Sequence, residues 1–169
     1  NVAALACDEM LRLANALSCA VEVNIFYRTP ERMKAILDHM NERKHVLGVE
    51  VPVLGHAPDA RIPGLKGPRA ACHREGILES DAILVPLEDG DRCQALVAMG
   101  KEVIVIDLNP LSRSAQQATI TIVDELSRAL GNMLDFTASE GRLEVDSDYN
   151  HITVLEEGVN EMLNAFKRT

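Results

Sequence analysis

The segment Asp107–Ser114 carries the residue types that most directly suggest ligand binding. It follows the apolar run Glu102–Ile106, so an acid and the amide of Asn109 come directly after a predicted buried strand. Such side chains can hydrogen-bond a ribose hydroxyl or the edge of a base. Ser112 and Arg113 follow closely, and a planar guanidinium is well suited to holding phosphate oxygens. The segment is therefore the first candidate for a ligand-binding loop.

Three more polar clusters lie where other strands are predicted to end, at Tyr27–Arg28, Glu88–Arg92 and Asp124–Glu125. In open α/β sheets, ligands bind outside the carboxyl ends of the strands. Four polar clusters at the same edge of one sheet therefore favour a shared binding site.

Each of these clusters also has a purely structural explanation. Asp91 or Asp124 can cap a helix, which accounts for an acid there without any ligand. Glu88 and Asp89 can form a solvated turn, and Arg28 can pair with a neighbouring acid at the surface for little gain in stability. These explanations stay open for any single cluster, and only the coincidence of four favours binding.

The second half of the chain is predicted to alternate strands with helices. Aliphatic and β-branched runs predict buried strands over Ala82–Val85, Glu102–Ile106 and Thr119–Val123. A helix that ends at Gly100 follows the first strand, and a helix over Asp124–Leu130 follows the third. This order predicts right-handed βαβ units and an α/β fold with a mainly parallel sheet.

The remaining elements are predicted from local patterns of apolar residues and from helix-start and turn signals. Thr29 followed by Pro30 reads as a helix start, with Thr as the N-cap residue. His151 is assigned to a strand. The other predicted elements are a helix over Val2–Leu17, a strand over Ala20–Tyr27, a helix from Thr29 to about Asn41, a strand over Val46–Val53, a long loop over Gly55–Arg74, strands or extended arms over Arg142–Val145 and Ile152–Leu155, and a helix over Glu156–Lys167.

Length and composition limit the class of protein. The chain has 169 residues, of which 47 % are hydrophobic, so we expect one domain over residues 1–169 with residues 134–169 as a C-terminal extension. A formal charge of −9 argues against a broad nucleic-acid interface. No apolar run reaches the roughly 18 residues of a membrane span, and no secretory signal is visible, so we expect a cytoplasmic protein without a membrane partner. The chain opens at Asn1 within a helix-like pattern, and we expect that an N-terminal helical part of the domain is absent.

Several common catalytic and nucleotide-binding motifs are missing. The sequence has no GxxxxGK[ST], no GxGxxG after a strand, no GxSxG and no HExxH. The four cysteines lack zinc-site spacing, so we expect reduced and mostly buried thiols. The alternative is a reactive Cys72 beside His73. Any ligand must therefore be held by a set of loops of another kind.

Five longer motifs occur in a fixed order along the chain. They are Asn24–Thr29 (NIFYRT), Pro58–Leu65 (PDARIPGL), Arg74–Ile77 (REGI), Val85–Arg92 (VPLEDGDR) and Asp107–Arg113 (DLNPLSR). With these motifs the chain closely resembles 4-phosphopantoate–β-alanine ligases, the phosphopantothenate synthetases of archaeal coenzyme A biosynthesis. The similarity extends from Asn1 to about Met133, and the tail after Leu134 matches only loosely.

This resemblance implies an activity and a set of nucleotide contacts. The reaction joins 4-phosphopantoate and β-alanine at the expense of ATP and releases AMP and pyrophosphate through a phosphopantoyl-adenylate. The family is homodimeric with a Rossmann-like three-layer core. It usually has Asn in place of Glu125, and it uses arginines from an N-terminal segment that this chain lacks. The implied nucleotide contacts are Asp107, Leu108, Asn109, Arg113, Ser114, Asp124 and Glu125, to which the phosphate-binding prediction adds Ser112.

Adenylation brings several negative charges together, so cations and Mg²⁺ must offset them. Lys66 and Arg113 are candidate cations, in addition to the three arginines that are predicted to be catalytic. Asp89 and Asp91 are the predicted Mg²⁺ ligands. Two alternatives stay open: another enzyme that binds NAD or a sugar phosphate on a similar sheet, and a non-catalytic ligand-binding or assembly module. The predicted catalytic residues are Arg28, Arg74, Glu88, Asp89 and Arg92.

Overall fold

The structure, a computed structural model, describes residues 2–87, 90–139 and 147–167. It has an α/β architecture, as the alternating pattern predicted. The short connection Pro68–Ala70 is a 3₁₀ helix and Arg74–Leu78 is a π-helix. The other elements, in chain order, are α1 (Val2–Leu5), α2 (Cys7–Ala16), β1 (Val21–Glu22), α3 (Pro30–Leu47), β2 (Val53–Leu54), β3 (Ala60–Arg61), β4 (Ala71–Cys72), β5 (Ala82–Val85), α4 (Gly90–Ala98), β6 (Glu102–Ile106), α5 (Arg113–Gln117), β7 (Ile120–Ile122), α6 (Leu126–Ala138) and α7 (His151–Lys167).

A parallel sheet with the strand order β5-β6-β7 forms the centre of the second half. The three strands were predicted, although β7 is shorter than expected. Val103 and Val105 of β6 are fully buried and pack with Leu96 of α4. Gly100 ends the α4 region with a φ of 78°, as predicted. Because all three strands run the same way, the segments after β5, β6 and β7 lie at one edge of the sheet.

The first half contains a smaller parallel pair, β1 with β2. The predicted strand over Ala20–Tyr27 is wrong beyond Glu22. Its partner strand β2 is only two residues long, so the pairing ends there. The predicted helix start is confirmed, since Oγ1 of Thr29 accepts a hydrogen bond from the amide of Arg32 at 3.2 Å. Helix α3 runs past the predicted end to Leu47.

The predicted strand over Val46–Val53 is also wrong. Gly48 adopts the left-handed conformation at a φ of 64° and ends α3 directly after Leu47. Strand β2 begins only at Val53. The predicted long loop over Gly55–Arg74 contains the antiparallel pair β3–β4, so it is more ordered than the turn signals indicated.

The last helix replaces a predicted strand. Residues Ile152–Leu155 are helical, and the side-chain oxygen of Asn150 accepts hydrogen bonds from the amides of residues 152 and 153. His151 begins the helix instead of lying in a strand. The segment Arg142–Val145 lies outside the described residues. Within the described part of the chain, no helix is long and apolar enough to cross a membrane.

The turn at Gly55 depends on glycine for two reasons. Its φ is 130°, and an added Cβ would lie 2.8 Å from the carbonyl oxygen of Val23. We expect Gly55→Ala to lower the free energy of unfolding by about 3 kcal/mol. Gly64→Ala is the matched control, because Gly64 also has a positive φ but open space around it; its cost is about 1 kcal/mol. Equal losses in urea unfolding would show that the close approach to Val23 is unimportant.

Candidate active site

The loop after β6 is held in shape by its own side chains. Oδ1 of Asp107 accepts a hydrogen bond from the amide of Asn109 at 2.9 Å, and Oδ2 accepts one from Oγ of Ser112 at 2.5 Å. Oγ of Ser112 in turn accepts from the amide of Ala115 at 3.0 Å and caps α5. These bonds fix the loop, and each carboxylate oxygen of Asp107 keeps a second lone pair for a ligand.

The loop after β6 has some residues that are exposed to solvent and others that are buried. Pro110 is fully buried, whereas the side chains of Leu108 and Leu111 are each 63 % exposed. Ser114 is completely buried, and its hydroxyl has no hydrogen-bond partner among the described residues. A nucleotide could therefore reach the side chain of Leu108 directly, whereas Ser114 would first have to be uncovered.

Arg113 connects this loop to the start of α4. Its guanidinium forms an ion pair with Asp91, and the two side chains are 59 % and 62 % exposed. A Cβ at Gly90 would lie 2.8 Å from Nε of Arg113, so only glycine leaves room for the arginine there. An exposed ion pair contributes little to stability. Arg113 can therefore exchange Asp91 for a phosphate at small cost.

The two acids after β7 are both engaged at the start of α6. Glu125 is the N-cap residue, and its carboxylate oxygens accept from the amides of Ser127 and Arg128 at 3.0 Å each. Asp124 accepts from Nε of Arg128 at 2.7 Å. Hydrogen bonds to Ser127 and Arg128 lower the pKa of Glu125, and the hydrogen bond from Arg128 lowers the pKa of Asp124. The capping role considered for Asp124 thus belongs to Glu125.

This cap predicts a pH-dependent loss of stability. The pKa of Glu125 is lowered on folding, so its contribution is present above the ordinary value of 4.5 and is lost as the pH falls through the lower folded value. We expect Glu125→Gln to lower the thermal midpoint at about pH 7, and to lower it much less at a pH below the folded pKa of Glu125, where the wild-type carboxyl is also neutral. A decrease of the same size at both pH values would contradict the charged cap.

Arg92 and Asn24 join the second half of the chain to the first. Nη1 of Arg92, in the first turn of α4, donates to the backbone oxygen and to Oδ1 of Asn24, each at 3.1 Å. Nδ2 of Asn24 donates to the backbone oxygens of Arg69 and Ala71 at 3.2 and 2.9 Å. Asn24 is absent from the predicted site residues, because a partner 68 positions away leaves no local signal in the sequence.

The other two predicted arginines contact separate segments. The guanidinium of Arg28 donates to the carbonyl oxygen of Gly55. The expected surface pair of Arg28 with a neighbouring acid is not formed among the residues that the structure describes. Arg74 donates its amide to Asp59 at 2.8 Å, and its side chain is 61 % exposed. Lys66 is exposed. Direct contacts thus connect Arg113 with Asp91 and Arg92 with Asn24. Within the described residues, Arg28 and Arg74 make no direct contact with either pair.

The backbone that carries Arg74 is fixed by a carboxylate from β1. Glu22 accepts hydrogen bonds from the amides of His73 at 3.0 Å and Ile77 at 2.9 Å. A Cβ at Gly76 would lie 2.3 Å from Oε2 of Glu22, so glycine is required for this close contact. The motif Arg74–Ile77 therefore has a structural reason for its glycine.

The described residues offer few ligands for a metal and no activated thiol. Glu88 and Asp89 lie outside the described residues, and Asp91 is paired with Arg113. In the described ranges, no three His, Cys, Asp or Glu side chains cluster as a metal site would. Cys72 is fully buried, and burial raises the pKa of its thiol to about 11. A reactive Cys72 is thus disfavoured.

A groove of about 370 Å³ adjoins the loop after β6. It lies between Pro110–Leu111 and the first half of α7. Its walls are mostly aliphatic, and its polar groups are the amides of Gln116 and Asn160 and the carboxylate of Glu156. Such a composition suits a flat heterocycle with a hydrogen-bonding edge.

A family profile and three relatives match this chain to the same family of enzymes. A family profile described as phosphopantothenate/pantothenate synthetase matches residues 1–165. The chain is 50 % identical over 135 residues to the 4-phosphopantoate–β-alanine ligase of Thermococcus kodakarensis, a match that covers 80 % of this chain and 50 % of the relative. The Methanosarcina mazei ligase is 42 % identical over 173 residues, with 99 % and 66 % covered.

A third relative, the 4-phosphopantoate–β-alanine ligase of Methanospirillum hungatei, is 47 % identical over 136 residues, with 80 % of this chain and 53 % of the relative covered. The chain thus spans between half and two thirds of the length of these relatives. The family profile nevertheless matches almost the whole chain, and the chain belongs to the phosphopantothenate/pantothenate synthetase family.

Proposed function

We propose that this chain condenses 4-phosphopantoate with β-alanine, using ATP, to give 4′-phosphopantothenate, AMP and pyrophosphate. The observation that carries the proposal is the ion pair of Arg113 with Asp91 beside the Asp107 loop, in a chain of this family. In this ion pair, a guanidinium that can exchange Asp91 for a phosphate lies next to carboxylate and amide groups at the carboxyl ends of β5 and β6. Relatives that are 42–52 % identical bear the name of this ligase.

The reaction would take place in two displacements. A carboxylate oxygen of 4-phosphopantoate attacks the α-phosphorus of ATP, and the bond to pyrophosphate breaks. The amine of β-alanine then attacks the acyl carbon of the adenylate, loses a proton to solvent, and AMP leaves with the bridging oxygen. Neither step needs a nucleophilic side chain, which agrees with the buried, unactivated thiol of Cys72. The main task of the protein is to position and neutralise polyanions.

The nucleotide would lie along the loop after β6. The carboxylate of Asp107 would accept hydrogen bonds from the ribose, and the adenine would enter the groove beside Pro110 and α7. Arg113 would leave Asp91 for the phosphates. Leu108, Asn109 and, once uncovered, Ser114 would complete the contacts. Ser112 would act by holding Asp107, while Asp124 and Glu125, being engaged in α6, would contribute through their backbone.

Mg²⁺ would accompany the triphosphate. Carboxylate oxygens suit this ion, which takes few protein ligands and keeps several waters. Asp91, once released by Arg113, and Asp89 would be its ligands, and the remaining positions would go to phosphate and water. When bound, the ion would neutralise charge on the phosphates and favour departure of pyrophosphate.

4-Phosphopantoate would bind on the side of β1. Arg28 directly precedes the N-terminus of α3, where backbone amides and the helix dipole favour a phosphate. Arg92 would lie between that phosphate and the nucleotide, and Arg74 would approach from the π-helix. Glu88, which directly precedes Asp89 in the sequence, would be a further carboxylate of the site.

The ligase would be a cytoplasmic homodimer. The support within the described residues is an apolar stripe near the end of α7, where Leu163 and Phe166 are 53 % and 80 % exposed. Exposed apolar stripes of this kind often mark contacts between subunits. A dimeric mass by light scattering is expected, and a monomer at assay concentrations would refute the dimer.

The proposed reaction is tested by product analysis with defined mixtures. AMP and pyrophosphate should form only when ATP, 4-phosphopantoate and β-alanine are all supplied, and pantoate should substitute poorly. Equal activity with pantoate would contradict the substrate assignment. Binding of ATP without turnover would favour a non-catalytic module, and thermal stabilisation by NAD or sugar phosphates alone would favour another enzyme class.

A further inference from the structure

The side-chain amide of Asn24 is oriented by groups from two other parts of the chain. Its two N–H groups face the backbone oxygens of Arg69 and Ala71, and its oxygen faces the guanidinium of Arg92. Exchanging the oxygen and the nitrogen would place donor against donor and acceptor against acceptor. The amide therefore has one satisfactory orientation, which presents an acceptor to Arg92.

We infer that Asn24 is a positioning residue for the reaction, which acts by holding the guanidinium of Arg92 at the edge of the sheet. This inference rests on the proposed ligase function. Arg92 has a long and flexible side chain, and one nitrogen, Nη1, reaches both Asn24 oxygens at 3.1 Å. Two acceptors on one residue restrict where that guanidinium can point before the anionic substrates arrive.

Other side chains at position 24 cannot make the same set of bonds. Aspartate would offer Arg92 an oxygen but would turn a second oxygen toward the carbonyls of Arg69 and Ala71. Alanine would leave only the backbone oxygen of residue 24 for Arg92. Asn24→Ala therefore removes the side-chain acceptor, and Asn24→Asp keeps that acceptor while it loses both donors.

The test is a double-mutant cycle in the full ligase assay. Asn24→Ala should lower kcat by about 10- to 100-fold, the size expected for losing a hydrogen bond to a charged group, with a smaller change in the KM for ATP. In an Arg92→Lys background, which lacks the guanidinium but keeps the charge, Asn24→Ala should have less than about a twofold further effect. Asn24→Asp should recover part of the lost kcat.

Controls separate positioning from folding. Asn15→Ala removes a comparable hydrogen bond, from the amide of Glu50 at 3.1 Å, and should leave kcat unchanged. Thermal midpoints are measured for every variant, and if Asn24→Ala does not fold, the cycle is run with Asn24→Ser, whose shorter side chain also withdraws the Oδ1 acceptor from Arg92. An equal loss of kcat in both backgrounds overturns the role of Asn24, as does an Asn24→Asp variant as slow as Asn24→Ala. A wild-type chain that makes no AMP overturns the ligase proposal itself, and this inference with it.

Discussion

Arg92→Ala is expected to lower kcat by about 100- to 1,000-fold, because it removes a preorganised cation from the place where charge develops. Arg92 lies in the first turn of α4, and its guanidinium is held by both oxygens of Asn24. Steady-state assays that vary ATP, 4-phosphopantoate and β-alanine in turn would measure the loss. It should fall mainly on kcat, since in the proposed reaction the fixed guanidinium would act on the reacting groups.

Arg12→Ala is the matched control for Arg92, since Arg12 is an exposed arginine on α2 outside the proposed site. It should leave kcat within about twofold of the wild-type value. Urea unfolding of both variants would reveal any general loss of structure. If Arg92→Ala retains the kcat of the Arg12 control, Arg92 has no part in the chemistry.

Arg113→Ala is expected to weaken ATP binding by about 10- to 100-fold, because a charge-assisted contact to phosphate is lost. The same change should barely alter stability, since the pair with Asp91 is exposed on both sides. Calorimetric titration with a non-hydrolysable ATP analogue would measure the affinity. Gly90→Ala should give a smaller decrease, because its Cβ would displace Nε of Arg113.

Arg43→Ala is the control for Arg113. Arg43 makes a bidentate ion pair with Asp8, at 2.8 and 2.6 Å, between α3 and α2. Its removal should leave the affinity for ATP unchanged. Unchanged affinity in Arg113→Ala as well would exclude a phosphate contact from this arginine.

The core strands could be predicted because their sequences are unambiguous over their whole length. Ala82–Val85 and Glu102–Ile106 are aliphatic runs that end at polar or glycine-containing turns. Val46–Val53 has a similar β-branched composition, yet its first residues complete α3, and Gly48 ends that helix. Ile152–Leu155 looked like a strand for the same local reason, whereas the spacing of apolar residues through Phe166 is helical.

The location of the candidate site could be predicted more fully than its internal contacts. Polar residues that follow three parallel strands must lie at the same edge of the sheet. The placement of Asp107 and Arg113 at this edge could therefore be predicted from the sequence. The contact between Asn24 and Arg92 could not be predicted, because it depends on how the segment after β1 lies against the first turn of α4. Glu125 and Asp124 are adjacent acids, and only the geometry of α6 decides which one caps it.

The central claim is that this chain activates the carboxylate of 4-phosphopantoate by joining it to AMP. The most direct measurement uses 4-phosphopantoate labelled with oxygen-18 in its carboxylate, with ATP and β-alanine, and follows the label by mass spectrometry. One labelled oxygen should appear in the phosphate of AMP, because the carboxylate oxygen leaves with AMP when the amide forms. Label in inorganic phosphate together with ADP, or no label in AMP despite turnover, would contradict this account.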